Sequence, residues 1–160
     1  MEGKKVEESF VQIVMQMTQQ DANLAGNVHG GVIMKHIDNT AGIVASRHSS
    51  SLAVTASLDR LDFHNPVYVG DLLRLQASVN YVGRTSMEIG VRIEAENFIT
   101  GELRHTASAY LTFVAMDENG KPFPVPPILL ESEADKRRYM EAQNRKEMRH
   151  AEKKRENGIS

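Results

Sequence analysis

The sequence contains no cysteine. This absence excludes disulfide bonds, thiolate nucleophiles and cysteine-based metal sites together, and it fits a reducing compartment. The G-x-S-x-G motif of serine hydrolases is also missing. His29 and His36 are the closest approach to a histidine pair in the first half of the chain, but they are too far apart for a metal-binding helix motif. These absences disfavour a serine-triad or zinc hydrolase.

The chain also lacks long apolar runs and a dominant charge. Its first ten residues, MEGKKVEESF, contain no signal-peptide core, and no apolar run approaches the roughly 18 residues needed to cross a bilayer. The formal net charge is -2 at pH 7, so no overall field favours nucleic acid or an anionic membrane surface. We therefore expect a soluble cytoplasmic protein with neither as a partner.

The 160 residues are enough for one domain with a real core, followed by a tail. Residues 9–17 alternate as in a strand, and the segment from residue 30 has apolar residues at helical spacing. Four further segments, beginning near residues 51, 71, 86 and 102, alternate or run as strands, and turn residues separate them. The pattern predicts an α+β fold of order β-α-β-β-β-β, with Gly90 as a strand bulge.

Residues 1–128 are expected to form this domain, and residues 129–160 a charged helical C-terminal tail. The proline-rich segment KPFPVPP precedes the tail and favours extended backbone. Ser132 and Asp135 have the spacing of a helix-start capping box. Because the apolar residues of the tail form no continuous stripe, we expect a solvated, fraying helix, with phosphate or partner binding as the alternative.

Residues 23–42, NLAGNVHGGVIMKHIDNTAG, combine a glycine-rich turn with the start of the long helix. Backbone N–H groups at a helix start can face a developing negative oxygen, and Asp38 follows two turns later, where it could activate water. An exposed structural aspartate is the alternative. The segment GNVHGG lacks the patterns of dinucleotide and P-loop sites, which disfavours both.

Three segments together resemble the acyl-CoA hydrolases of the hotdog-fold thioesterase superfamily, the branch of the cytosolic, brain-type enzymes and their bacterial single-domain relatives. They are NLAGNVHGGVIMKHID, DFHNPVYVGDLL and the long stretch from NYVGRTSMEIG to YLTFVAM, and the resemblance covers roughly residues 8–128. It implies a long central helix wrapped by a five-stranded antiparallel sheet. It also implies homo-oligomers, with a dimer as the minimum and often a trimer of dimers.

The resemblance further implies hydrolysis of fatty acyl-CoA to a free fatty acid and CoA, with CoA present only as part of substrate and product and no other cofactor or metal. The catalytic pair of the family matches Asn23 and Asp38, contributed from opposite subunits, with Asp38 as general base or nucleophile. Composition alone favours the alternative, in which Asn23 is a turn or cap residue. The backbone N–H groups of His29, Gly30 and Gly31 are candidate oxyanion donors, and the His29 side chain is otherwise a loop or interface group.

Arg84, Thr85 and Ser86 form a turn that suits the phosphates of CoA, although such a turn is often only a hairpin. In the related hydrolases this turn lies along the CoA channel. Thr55 and Asp59 are possible cleft residues, with sheet pairing as the alternative. Two other functions stay open: an acyl-CoA hydratase on the same fold, and a non-catalytic acyl-CoA-binding regulator.

Overall fold

The computed structural model describes residues 1–158. Its longest elements are one central helix, one C-terminal helix and four strands of seven residues or more. The strands and helices in chain order are β1 (Lys4–Lys5), α1 (Val6–Ser9), β2 (Val11–Gln16), α2 (Gly30–Ser49), β3 (Leu52–Leu58), β4 (Asp62–Phe63), β5 (Leu72–Val82), β6 (Ser86–Asn97), β7 (Glu102–Met116), β8 (Ile128–Leu129) and α3 (Glu133–Gly158).

Five strands form the predicted antiparallel sheet, and the structure orders them β2-β5-β6-β7-β3. The predicted strand after α2 is interrupted, however, and its second part is the two-residue β4, which also pairs with β7. Gly90 pairs in regular register with Ser78 and Tyr110, so the predicted bulge is wrong. A Cβ at position 90 would lie 2.6 Å from Nδ2 of Asn80, so this glycine leaves room for a neighbouring side chain.

Helix α2 packs on one face of the sheet through the apolar stripe that its periodicity predicts. Ile33, Ile37, Ala41 and Val44 are all buried, with at most 3% of their surface exposed. The strands meet them with alternate side chains, because successive residues of a strand point to opposite faces. The helix ends at Ser49, and its C-cap residue Ser50 adopts a left-handed conformation with φ of 55°. Because this stripe faces the sheet, the opposite side of α2 faces solvent.

Helix α3 packs against the opposite face of the sheet, which corrects the prediction of a solvated, fraying helix. The Ser132–Asp135 capping box is confirmed by hydrogen bonds of 3.0 and 3.3 Å. Ala142 is buried, and Arg145 forms two hydrogen bonds to the buried Glu88 carboxylate, at 2.8 and 2.9 Å. Because charged residues such as Arg145 make these contacts, the packed face of α3 has no apolar stripe, and the hydrophobic periodicity of the sequence cannot predict its packing. Within residues 1–158, no helix is long and apolar enough to cross a membrane.

His48 is fully buried at the end of α2. Its Nε2–H donates to the Pro126 carbonyl oxygen at 2.9 Å, while Nδ1 has no hydrogen-bond partner among the described residues. Burial lowers the pKa of His48 below its ordinary value of 6.5; the bond to Pro126 and the Glu8 carboxylate oppose this shift, and the Lys4 charge adds to it. The folded chain therefore resists protonation of this ring.

We expect the free energy of unfolding to fall as the pH drops below about 6.5, because the unfolded chain then binds a proton that folded His48 resists. The contribution is complete above that pH, and its slope cannot exceed about 1.4 kcal/mol per pH unit for one group. Denaturant unfolding of wild type and His48→Gln, whose amide can still donate to Pro126, measures it. An equally steep acid loss in both proteins would show that another group is responsible.

Candidate active site

Asp38 lies on the solvent side of α2, beside the edge strand β3. Its Oδ1 accepts a 2.5 Å hydrogen bond from the Thr55 hydroxyl. The contact arises because β3 returns along the helix that precedes it, so residues 17 positions apart meet. Oδ2 has no hydrogen-bond partner within the described chain. The carboxylate is therefore held at one oxygen and available at the other.

The cleft at Asp38 is wide and open, with a volume of about 690 Å³. Gly42 and Ile43 of α2 line it on one side, and Val54 of β3 and Phe113 of β7 on the other. Gly42 keeps this wall low, because a Cβ there would meet the Phe113 ring at 3.6 Å. The cleft offers an apolar surface beside a fixed carboxylate.

Strand β3 is an edge of the sheet, with β7 as its neighbour on one side only. Leu52 and Val54 expose 78% and 47% of their surface there, and Ile43 of α2 exposes 41%. Unpaired backbone groups beside apolar side chains form a surface that another strand can cover. The Asp38 cleft therefore borders the part of the chain best suited to a second subunit.

Asn23 lies in the loop before α2, and its side chain shapes that loop. Its Oδ1 accepts hydrogen bonds from the N–H groups of Ala25 and Asn27, at 2.9 and 3.2 Å. The Nδ2 amide has no partner within residues 1–158 and remains a free donor. Asn23 lines a pocket of about 300 Å³ together with Phe63 and His64. The turn role considered from composition is thus real, but it occupies only the oxygen.

Asn23 and Asp38 line two different cavities within one chain. The structure brings Asp38 together with Thr55 and brings Asn23 together with Gly30, but it does not place the two predicted catalytic side chains in one pocket. This separation is consistent with the prediction that opposite subunits contribute the two residues.

Two of the three predicted oxyanion donors at the start of α2 already donate hydrogen bonds within the chain. The N–H of His29 donates to the Asp21 carbonyl at 2.7 Å, and the N–H of Gly31 donates to Nδ1 of the His29 side chain at 2.9 Å. Gly30 is the one of the three predicted donors whose N–H has no partner within the described chain. The His29 side chain acts as the N-cap of α2, a role that the sequence pattern did not indicate.

Arg84, Thr85 and Ser86 form the predicted turn between β5 and β6. The Gly83 N–H donates to the Ser86 carbonyl at 2.8 Å and closes the turn. Carbonyl groups of Thr85 and Arg84 accept from Ala115 and Val125, which tie the turn to the end of β7 and to the proline-rich segment. The Arg84 side chain is exposed. The turn is fixed by its backbone, so its polar side chains are available to a ligand.

The family profile described as "Thioesterase superfamily" matches residues 25–100. A solved structure, of an apo-hexameric acyl-CoA thioesterase, superposes with a TM-score of 0.92 at 40% identity and covers 95% of this chain and 97% of that one. This chain belongs to the thioesterase superfamily. The hotdog fold that the sequence resemblance implies is thereby confirmed.

Other relatives in the thioesterase superfamily are named by activity. The cytosolic acyl coenzyme A thioester hydrolase of Rattus norvegicus is 39% identical over 127 residues, which are 78% of this chain and 33% of that protein. The Staphylococcus aureus acyl-CoA hydrolase, solved with butyryl coenzyme A and coenzyme A, has a TM-score of 0.89 at 36% identity over 98% of this chain and 95% of that one. Its solved variants replace an aspartate, an asparagine or a threonine by alanine.

Proposed function

We propose that the protein is an acyl-CoA thioesterase, which hydrolyses a fatty acyl-CoA to the free fatty acid and CoA. The observation that carries the proposal is the Asp38 carboxylate, which Thr55 holds at the wall of a cleft with an apolar part formed by Ile43, Val54 and Phe113. Membership of the thioesterase superfamily and the activities named for its relatives support the reaction class.

In the proposed reaction, Asp38 acts as general base on a water molecule. The water oxygen bonds to the thioester carbon while the carboxylate takes its proton. The tetrahedral intermediate then breaks its bond to the CoA sulfur, and the sulfur takes that proton from Asp38, which restores the carboxylate. Oδ2 faces the water, since Thr55 occupies Oδ1. In the alternative step, Asp38 itself attacks the thioester carbon and expels CoA, and water then hydrolyses the mixed anhydride.

The developing negative oxygen is stabilised by the Gly30 N–H at the start of α2, where the helix dipole also favours negative charge. The Nδ2 amide of Asn23 lies in the same pocket and is a second donor, for either the oxyanion or the water. Because the Asn23 oxygen already holds the loop, the donor is pre-oriented before substrate arrives.

The site is composite, with Asn23 and Gly30 from one subunit and Asp38 and Thr55 from another. The separate pockets within one chain and the uncovered β3 edge beside Asp38 support a dimer as the minimal active unit. A hexameric thioesterase among the structural relatives supports a trimer of such dimers.

The variants of the Staphylococcus aureus hydrolase support the choice of residues. The asparagine, aspartate and threonine replaced there follow one another along the chain at the same separations as Asn23, Asp38 and Thr55.

Arg84, Thr85 and Ser86 are proposed to bind the nucleotide portion of CoA, because they combine a guanidinium and two hydroxyls on a rigid turn. A cytoplasmic role in fatty acid metabolism is proposed from the cytosolic rat relative.

A colour reagent for free thiols tests the reaction with a panel of acyl-CoA chain lengths. We expect steady release of CoA over many turnovers, in proportion to the protein added. Release of no CoA, with acyl-CoA bound in a fixed ratio to the protein, would contradict hydrolysis and indicate a binding regulator. Formation or loss of a double bond in the acyl chain without thiol release would instead indicate a hydratase.

A further inference from the structure

The face of α3 that packs on the sheet carries three partly buried cations, Arg145, Lys146 and Arg149. Two of them have carboxylate partners. Arg145 binds Glu88, and Arg149 binds Asp59, with Glu88 at a further 3.9 Å. Such pairing is expected, because a charge removed from water needs a compensating group. Carboxylates thus compensate two of the three cations, Arg145 and Arg149.

Lys146 has no carboxylate within 4.0 Å among residues 1–158, so the third cation is not neutralised within the described chain. Its ammonium lies 5.0 Å from the centre of the Tyr81 ring, a contact that orients the group but leaves its full charge in place. The charge of Lys146 is therefore uncompensated, and its contact with Tyr81 holds the ammonium at one location.

That location is the turn between β5 and β6. The position that a Cβ of Gly83 would occupy lies 3.1 Å from the Ser86 hydroxyl and 3.4 Å from Nζ of Lys146. Because Gly83 has no side chain, the Lys146 ammonium and the Ser86 hydroxyl both lie beside the space that a Cβ would fill. Arg84, the next residue, adds an exposed guanidinium to the turn.

A cleft of about 430 Å³ opens beside Ser86 and Lys146, with His150 on its wall. Its two inner carboxylates, Asp59 and Glu88, are already paired with arginines. Glu152 and Glu156 also line it, but both are exposed, so solvent screens them. At the turn end of the cleft, the Lys146 ammonium has no carboxylate partner within 4.0 Å in the described chain, and such a group suits a phosphate.

We propose that Lys146 of the C-terminal helix binds a phosphate of the nucleotide portion of CoA, opposite Ser86 and Arg84 of the turn. The inference rests on the proposed function and extends it, since it makes α3 a wall of the CoA site. The ligand group is a phosphate monoester or a diphosphate, because CoA carries both, and an ammonium with a hydroxyl and a guanidinium binds either.

Calorimetric titration with CoA tests the proposal in the full chain. Lys146→Ala is expected to raise the dissociation constant for CoA about tenfold, the usual size of one lost charge-assisted contact. Lys146→Arg keeps the charge and should stay within about threefold of wild type. The matched control is Lys136→Ala on the same helix, where Lys136 pairs with Glu133 far from the turn; it should leave the constant unchanged.

Titration with dephospho-CoA separates the two phosphate groups. If the Lys146→Ala effect disappears with that ligand, Lys146 binds the 3′-phosphate; if it persists, Lys146 binds the diphosphate. CoA binding by Lys146→Ala as tight as in wild type, with unchanged oligomer size and thermal unfolding, would overturn the proposal. That outcome leaves the thioesterase function standing, because wild-type turnover is measured separately by thiol release.

Discussion

Replacing Asp38 by alanine should lower kcat for acyl-CoA hydrolysis by about 10²–10⁴-fold, the usual contribution of a positioned general base. Binding of CoA should change little, because the proposed site for the nucleotide is the turn around Arg84 and not the Asp38 cleft. Steady-state kinetics with CoA as a competitive inhibitor measure both quantities in one experiment. The fold of each chain should persist, since Asp38 lies outside the buried stripe of α2, and the size of the oligomer is measured alongside the kinetics.

Two further variants sharpen this result. Thr55→Val removes the hydroxyl that holds Oδ1 but keeps the side-chain shape, so it should give a smaller loss of kcat than Asp38→Ala. Glu118→Ala removes an exposed carboxylate from a turn away from the cleft and should leave turnover unchanged. Near-normal kcat in Asp38→Ala would eliminate Asp38 as the base.

Two inactive variants should restore activity when they are combined in one oligomer. Asn23→Asp keeps the oxygen that accepts from Ala25 and Asn27 but removes the amide donor, and Asp38→Ala removes the base. If the site is composite, a mixed dimer contains one intact site and one doubly defective site. Random pairing of equal amounts should then recover about a quarter of wild-type activity, because half of the dimers are mixed.

Co-expression of the two chains with different tags measures the recovery. Purification on both tags then selects the mixed dimers, in which one of the two sites is intact, so the expected activity rises to about half of wild type. The matched control pairs Asp38→Ala with the Asn23→Asp/Asp38→Ala double variant, which offers no intact site in any arrangement. Mixed oligomers as inactive as this control would mean that Asn23 and Asp38 of the same chain work together, contrary to the proposed site.

The fold is largely predictable here because its main elements bury one face each. The stripe from Ile33 to Val44 and the alternation in β5 and β6 follow from that burial, so the sequence pattern carries them. Gly90 was misassigned because a glycine in a strand can mark either a bulge or a large neighbour, and only the position of Asn80 distinguishes them.

The site is less predictable, because its contacts depend on tertiary placement. The hydrogen bond between Asp38 and Thr55 requires β3 to return beside α2, which no local pattern specifies. The use of the Gly31 N–H by His29 depends on a side-chain conformation. Only the family resemblance indicates a catalytic Asn23, whereas the position of Asp38 on α2 makes it a candidate from the pattern alone; the chemistry of both stays a prediction until the variants above are measured.

The contact between Arg145 and Glu88 makes the C-terminal helix a third layer of the molecule. Glu88 exposes only 2% of its side chain, and Arg145 also stacks on the Tyr110 ring, 3.7 Å from its centre. Removing one member of such a buried pair typically costs about 3–5 kcal/mol. A chain trimmed before α3 would therefore lose stability along with its last helix, so protein engineers should attach fusion partners beyond this helix and leave it intact.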